Sequence, residues 1–306
     1  MQSDDLSIVN QAAGNFAILL RNAGFSAGYL AGLFEGDGSF ITPPTLRSSQ
    51  GRLLYPYLKI VFADHDKPLA IKLIGLLNGT ISRGNKGNYW VLTIYSKADV
   101  YNLLRYINGH LRTPKIHAYL TMVEWFNNLD TFPTIIPEGL STTPIMQDGW
   151  LAGLIDSDGS FQITYRMGTR FNRAVDVRLS ILLTQRLKYH VTNTKYGDDY
   201  TPVIRSIAEA LKADFTARTR DRGVRIEENV GVSVKSLIAR TELIRYLQDH
   251  PLKSSKYNDA MDWMKAHDLV VSKEVRTLEG TNKLIRIKEG INTKRTNFDW
   301  SHLDNE

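Results

Sequence analysis

Apolar positions along this chain follow two rhythms, and the same succession of rhythms runs twice. Within Gly28–Gly36, Leu30, Leu33 and Phe34 recur at helical spacing; within Gly149–Ser157, Leu151, Leu154 and Ile155 do the same. Behind the second of these helices, FQITYR and VDVRLSILLT alternate with period two, as half-buried strands do, around a Gly-containing hairpin loop, RMGTRFNR. The corresponding loop of the first half is TPPTLRSSQGRL, where Pro43 and Pro44 act as breakers. LKIVFADH (Leu58–His65) then parallels LSILLTQR (Leu179–Arg186), and IKLIGLLNGTISR parallels IRSIAEALKADFTAR as apolar helix followed by polar strand. WVLTIYSKADVYNLLRYINGH parallels VGVSVKSLIARTELIRYLQDH, and HLRTPK ending at Lys115 parallels HPLKSSK ending at Lys256. Blocks recurring in one order mark an internal duplication. Each half predicts helix, strand, strand, helix, strand pair, helix.

The stretch NNLDTFPTIIPEGLSTTP, rich in Pro, Thr and turn residues, predicts a linker with a boundary near Thr143. The expected organisation is an N-terminal extension over 1–26, a first half over 27–126, a linker over 127–147, a second half over 148–268 and a basic tail over 269–306. KYHVTNTKYGDDYTP, which the first half lacks, predicts a surface loop.

The two copies share LAGLFEGDG at Leu30–Gly38 and LAGLIDSDG at Leu151–Gly159. On a helical wheel Gly28, Gly32 and Gly36 oppose the apolar face, as do Gly149, Gly153 and Ser157. A helical glycine costs roughly 1 kcal/mol against alanine, so such a stripe needs a reason. Close approach supplies it, with two helices packing backbone to backbone. The interface is expected at Gly32, Gly36, Gly153 and Ser157, which makes the chain an internal dimer and predicts a monomer. Asp37 and Asp158 close the two helices. If the helices cross tightly, both carboxylates meet there, and an oxygen-only site suits Mg²⁺ or a similar hard cation. Glu35 and Asp156, two residues earlier, are expected to project elsewhere. A calcium-loop reading fails, because the first and twelfth ligand positions fall on Leu154 and Tyr165 in one copy and Leu33 and Pro44 in the other.

Composition narrows the partner. The 306 residues allow two domains, and 42% hydrophobic residues supply two cores. No apolar run approaches the roughly 20 residues of a membrane span, so no membrane partner is expected. The opening MQSDDLSIVN is acidic and poor in apolar residues, which predicts neither secretory signal nor Arg-rich transit peptide, and a protein that works where it is made or follows a processed leader. With no cysteine there is no disulfide, thiolate zinc site or cysteine nucleophile. The net charge of +6 favours a polyanion, more so because TARTRDRGVR gathers Arg218, Arg220, Arg222 and Arg225.

At these motifs the chain resembles the LAGLIDADG homing endonucleases in their double-motif, single-chain form, from about Ala27 to about Lys265. The resemblance implies an α+β fold of two pseudo-symmetric αββαββα halves, with saddle-shaped antiparallel sheets packed through the two motif helices. It implies site-specific double-strand cleavage of a long DNA target with divalent ions. It carries metal binding onto Asp37 and Asp158, with Gly36 and Ser157 beside them, and catalytic support onto Lys115, Lys256, Gln185 and Asp64. Asp64 and Gln185 share an offset of 27 residues from their motif acids (64 − 37 = 185 − 158), although the family usually has a neutral polar residue where Asp64 stands. Mg²⁺ is the expected cofactor, with Mn²⁺ substituting and Ca²⁺ supporting binding without efficient cleavage.

The strands are expected to read the DNA. Phe161, Ile163 and Tyr165 would face the core, leaving Ser160, Gln162, Thr164 and Arg166 on the outer face with Asp176, Arg178 and Ser180. Tyr57 and Lys59 are the first-half counterparts, and Arg218, Arg220 and Arg222 add charge. A two-stranded ribbon fits the major groove, where Arg and Gln read base edges. The tail KLIRIKEGINTKRTNFDW resembles organelle intron-encoded members, which implies a mitochondrial or, alternatively, chloroplast setting. Two other readings share the fold: an intron-splicing maturase bound to the host intron RNA, and a cleavage-inactive DNA-binding regulator.

Overall fold

The computed structural model describes residues 3–85, 87–129, 131–168, 174–190, 195–223 and 226–304. They form two compact units, one from residues 1–157 and 188–199, the other from 158–187 and 200–305.

The first unit opens with α1 (Ser3–Asn22) and the first motif helix, α2 (Ala27–Gly36), whose first turn is capped by the Ser26 hydroxyl accepting from the Tyr29 amide. Strands β1 (Gly38–Ile41) and β2 (Tyr57–Ala63), helix α3 (Lys67–Leu77), strands β3 (Thr80–Arg83) and β4 (Tyr89–Ile94) and helices α4 (Lys97–Ile107) and α5 (Ile116–Asn127) follow. The four strands make an antiparallel sheet in the order β1-β2-β4-β3. Its inner face is set by alternation: Leu58, Ile60 and Phe62 of β2 are buried with Leu92 and Ile94 of β4, against Leu73 of α3 and Leu104 of α4. The second motif helix, α6 (Trp150–Asp158), belongs to this unit through Ser157.

In the second unit, β5 (Gly159–Met167), β6 (Ala174–Arg186), α7 (Thr201–Ala210), β7 (Asp214–Asp221) and β8 (Ile226–Val234) repeat the plan, with sheet order β5-β6-β8-β7. Helices α8 (Leu237–Asp249), α9 (Lys256–Val271) and α10 (Leu278–Glu289) complete it. Phe161, Ile163, Leu179, Ile181, Leu183, Val230 and Val232 form the buried face, beside Leu243 and Trp263.

Each half is αββαββαα, one helix longer than the expected pattern, because α5 and α9 continue directly from Lys115 and Lys256. The segment read as an N-terminal extension carries α1, which buries Phe16 and Leu20 and sets the Phe16 ring edge-on to Tyr106. The linker is fastened to the first unit: Asn127 holds Ile135 through two 2.8 Å bonds, the Tyr101 hydroxyl donates to the Pro133 carbonyl, and the Asn108 amide donates to the Ile136 carbonyl. In the tail, Thr281 is buried, accepting from the Ala174 amide and donating to the Val275 carbonyl. Arg295 pairs with Asp259 and Asp262 at 2.7 and 2.6 Å, so part of the tail's basic charge is spent inside the unit.

The extra polar stretch of the second half is placed where described: its residues 188–190 and 195–199 belong to the first unit. There the Gly197 carbonyl lies 2.8 Å from His117 Nε2 on α5. Residues 191–194, the hairpin residues 169–173 and Arg225 lie outside the described residues.

The shared offset of Asp64 and Gln185 does not survive in the strand ladder. Gly38 faces Ile60 in the first sheet, whereas Gly159 faces Leu183 in the second. Counting on from those positions, Phe62 opposite Trp90 matches Gln185 opposite Val230. The second β-hairpin is longer by two residues, so equal spacing in sequence lands on non-equivalent rungs. Asp64 instead opens a short 3-10 turn after β2, 3.5 Å from Arg83.

Candidate active site and nucleic-acid face

The site is built on the contact of α2 with the body of α6 inside the first unit. A Cβ added at Gly32 would run into the Trp150 carbonyl, and one added at Gly153 would run into the Tyr29 carbonyl. These two of the four expected interface positions are where backbone meets backbone, and any side chain there would force the helices apart. Ser157 turns its hydroxyl back onto the Leu154 carbonyl at 2.9 Å.

Two cross-helix hydrogen bonds lock the crossing. The Trp150 indole N–H donates to Glu35 at 2.6 Å, and the Tyr29 hydroxyl donates to Asp156 at 2.7 Å. Each helix thus opens with an aromatic donor that finds the acid near the end of the other. Glu35 is fully enclosed and accepts further bonds from the Arg112 amide and from the Thr113 amide and hydroxyl. Burial pushes its carboxyl above the usual range, while the surrounding donors, Thr113 foremost, pull it back. Sequence reading set Glu35 and Asp156 aside and missed this lattice. The signal was present as Tyr29 and Trp150 at one repeat position, directly before Leu30 and Leu151.

With Glu35 and Asp156 buried, the exposed acids of the motifs are Asp37 and Asp158. Asp37 is the C-cap residue of α2, its amide donating to the Leu33 and Phe34 carbonyls. Gly38 follows because a Cβ there would strike the Phe34 backbone, so glycine lets the chain pass from helix straight into β1. The Lys115 ammonium donates to the carbonyls of Phe34, Gly36 and Gly38 at 3.1, 2.9 and 2.9 Å. It therefore sits on the negative end of α2, against carbonyls on both sides of Asp37. In the second unit Asp158 accepts a 2.7 Å bond from the Gln185 amide. Gln185 is half-buried and paired with Val230 one rung from the end of the β6–β8 ladder. Lys256 begins α9, its amide donating to the Ser254 hydroxyl at 3.1 Å.

The donor chemistry at each helix end suits a hard cation. Asp37 and Asp158 offer carboxylate oxygen only, and no sulfur is available from cysteine. Among the described residues no group of three or more His, Asp or Glu side chains gathers as a ready-made cage.

The second sheet brings several expected DNA-reading residues together on its outer face. Gln162 stands opposite Ser180 and Thr164 opposite Arg178. On the edge strand, Arg218 faces Asn229 and Arg220 faces Glu227, with Arg222 paired to Glu227 at 3.1 Å. In the first sheet the Lys59 ammonium lies 5.2 Å from the Tyr57 ring centre, and Tyr57 packs against Tyr95. Phe161 and Ile163 are in the core as expected. Tyr165 departs from the pattern: a register shift between Thr164 and Arg166 leaves it half-buried, with the Lys288 ammonium 4.7 Å from its ring centre.

Two sheets of this order, each preceded by a glycine-faced helix ending in an exposed aspartate, define an internally duplicated, double-motif scaffold. The family model described as LAGLIDADG endonuclease matches residues 30–126 and 151–267, and the chain belongs to that family. It is 31% identical over 301 residues, 90% of this chain and 72% of the other, to the intron-encoded DNA endonuclease aI3 of Saccharomyces cerevisiae. It is 24% identical over 260 residues to a cox1 intron-2 protein of Schizosaccharomyces pombe, covering 84% and 69% of the two chains. Among solved structures, the homing endonuclease I-GzeII in complex with its DNA target has the same fold, with a TM-score of 0.63, 17% identity and coverage of 89% of this chain and 99% of that one. Among the described residues, no helix is long and apolar enough to cross a membrane.

Proposed function

We propose that this chain is a site-specific DNA endonuclease that cuts both strands of a long target, using divalent metal held by Asp37 and Asp158. The observation that carries this reading is the division of labour among the four motif acids. Glu35 and Asp156 are buried in hydrogen bonds, whereas Asp37 and Asp158 are exposed at the helix ends. A structural motif needs only the first pair. Asp37 and Asp158 are the residues that would hold Mg²⁺, or Mn²⁺ as a substitute, and the bound ion would supply Lewis-acid chemistry toward phosphate and water that Ca²⁺ would supply poorly. Gln185 fixes the direction of the Asp158 carboxylate, and Lys115 holds the helix end from which Asp37 projects. Lys256 supplies positive charge at the start of α9. The outer sheet faces carry recognition through Gln162, Thr164, Arg166, Arg178, Ser180, Tyr57 and Lys59, while Arg218, Arg220 and Arg222 serve phosphates.

Because both motifs lie in one chain, the enzyme acts as a monomer. The similarity to a cox1 intron product supports a mitochondrial setting and intron homing. The test is a duplex joining the two exons that flank the open reading frame, incubated with the protein with and without Mg²⁺. Double-strand cleavage at the junction only with metal is expected. Tight binding with an intact duplex in Mg²⁺ would overturn the nuclease reading in favour of a binding protein.

A further inference from the structure

On the outer face of the second sheet, Asp176 stands out by conformation and by contacts. Its φ is +51°, in the left-handed region, at the place where the β5–β6 ladder slips. There Thr164 pairs with Arg178 and Arg166 with Val175, so Asp176 and Val177 together face Tyr165 alone. Such a bulge re-aims the side chains around it. Asp176 receives two arginines. Arg178 grips it with Nε on Oδ1 at 3.1 Å and Nη2 on Oδ2 at 3.0 Å, and Arg166 Nε lies 3.2 Å from Oδ2. Both arginine side chains are about three-quarters exposed, at 73% and 76%. Two exposed guanidinium groups would otherwise repel one another and sample many rotamers.

The edge used matters. Arg178 engages Asp176 through its side edge, Nε and Nη2. Nη1 and the outer hydrogen of Nη2 form the end-on fork that matches O6 and N7 of guanine in the major groove. A carboxylate on the side edge holds the fork in one direction, so less rotamer freedom is lost when a base is bound. The same carboxylate places one negative charge on a face meant for a polyanion, which weakens binding to any sequence. The arrangement gives up general affinity and favours discrimination.

We infer that Asp176 is a positioning residue for base recognition, holding Arg178 to read a guanine on the face it shares with Arg166. This rests on the proposal that the sheet reads DNA. The lowered carboxyl range of Asp176, caused first by the Arg178 hydrogen bond, agrees with a carboxylate that stays charged between them.

The test is a pool of duplexes randomised in sequence, selected with the full-length protein in Ca²⁺ so that binding is read without cutting. Wild type, Asp176→Asn and Arg178→Ala are compared, together with their melting temperatures. Asparagine keeps the shape and tolerates the left-handed backbone, and only the charge is lost. Arg178→Ala should lose a guanine preference at one position. Asp176→Asn should lose about fivefold or more of the preference at that same position, retain the rest of the consensus, melt with the wild type, and bind scrambled DNA more tightly. If Asp176→Asn reproduces the wild-type preference at every position, or weakens all positions equally, the role of Asp176 is overturned while the sheet remains a reader. If the wild type enriches no consensus, the reading face and this inference both fall.

Discussion

Asp37 and Asp158 close equivalent helices, and one contact at each shows how such an acid is steadied. At the first, the Lys115 ammonium holds three backbone carbonyls around the acid. At the second, the neutral Gln185 amide holds the carboxylate itself. The rung of the first sheet that matches Gln185 carries Phe62, whose ring lies in the core. Lys115 thus acts on the helix that bears its acid, and Gln185 acts on a carboxylate oxygen. Two copies of a motif in one chain no longer answer to a shared sequence, so a rung that holds a polar amide in one half can hold a core ring in the other.

The largest effect expected is loss of the common support. Gly153→Leu drives a side chain into the Tyr29 carbonyl and should cost about 3 kcal/mol or more, removing both helix ends together. Gly14→Ala in α1, where nothing lies within 4 Å of the added Cβ, should instead raise stability by about 0.5–1 kcal/mol. Melting curves of the two variants check this; equal behaviour would mean that the glycine stripe is not a close-packed seam.

Replacing the two supports separates them. Lys115→Met leaves three carbonyls without their cation and should cost about 2 kcal/mol, lowering Tm by about 5 °C and slowing the cuts on both strands. Gln185→Leu should leave Tm nearly unchanged and slow cleavage about 10- to 100-fold, as loss of a residue orienting a metal-holding carboxylate does. A Gln185→Leu protein that melts early but cuts at the wild-type rate would reverse the assignment.

The smallest effect is a pH dependence in the buried lattice. Glu35 has a folded carboxyl value raised above its ordinary 4.5, burial being the chief cause. Its contribution to stability is then complete below the unfolded value and declines as pH rises through the folded one. Glu35→Gln removes that titration, so the stability gap between wild type and variant should narrow as pH is raised from 4 upward. Urea unfolding across that range is the measurement, and a gap that widens with pH would contradict the direction.

Much of this was legible from repetition alone. Period-two alternation located Phe161, Ile163, Leu179 and Ile181 in one core, and glycines four apart located Gly32 and Gly153 in the seam, because both patterns record burial directly. The exposed positions of Asp37 and Asp158 were legible because each ends an apolar helix and precedes a glycine. The Asp64 match was misleading because offset counts residues while strands count rungs, and a hairpin two residues longer shifts the rungs. The Glu35 and Asp156 lattice was hidden because its donors come from the other helix and, for Glu35, from Thr113, contacts that local spacing does not encode. Lys115 was visible as a repeated lysine, but its grip on the Phe34, Gly36 and Gly38 carbonyls depends on where α5 begins in space.

The claim on which the rest depends is that the exposed helix-end acids perform the cleavage. Single-turnover cutting of one duplex, labelled separately on each strand, measures it directly when Asp158→Asn is run beside the wild type in Mg²⁺. The variant should bind the duplex with wild-type affinity and melt normally, yet lose cleavage of both strands, because affinity is spread over many phosphate and base contacts while the metal charge is not. Cleavage of both strands by Asp158→Asn at the wild-type rate would contradict that claim.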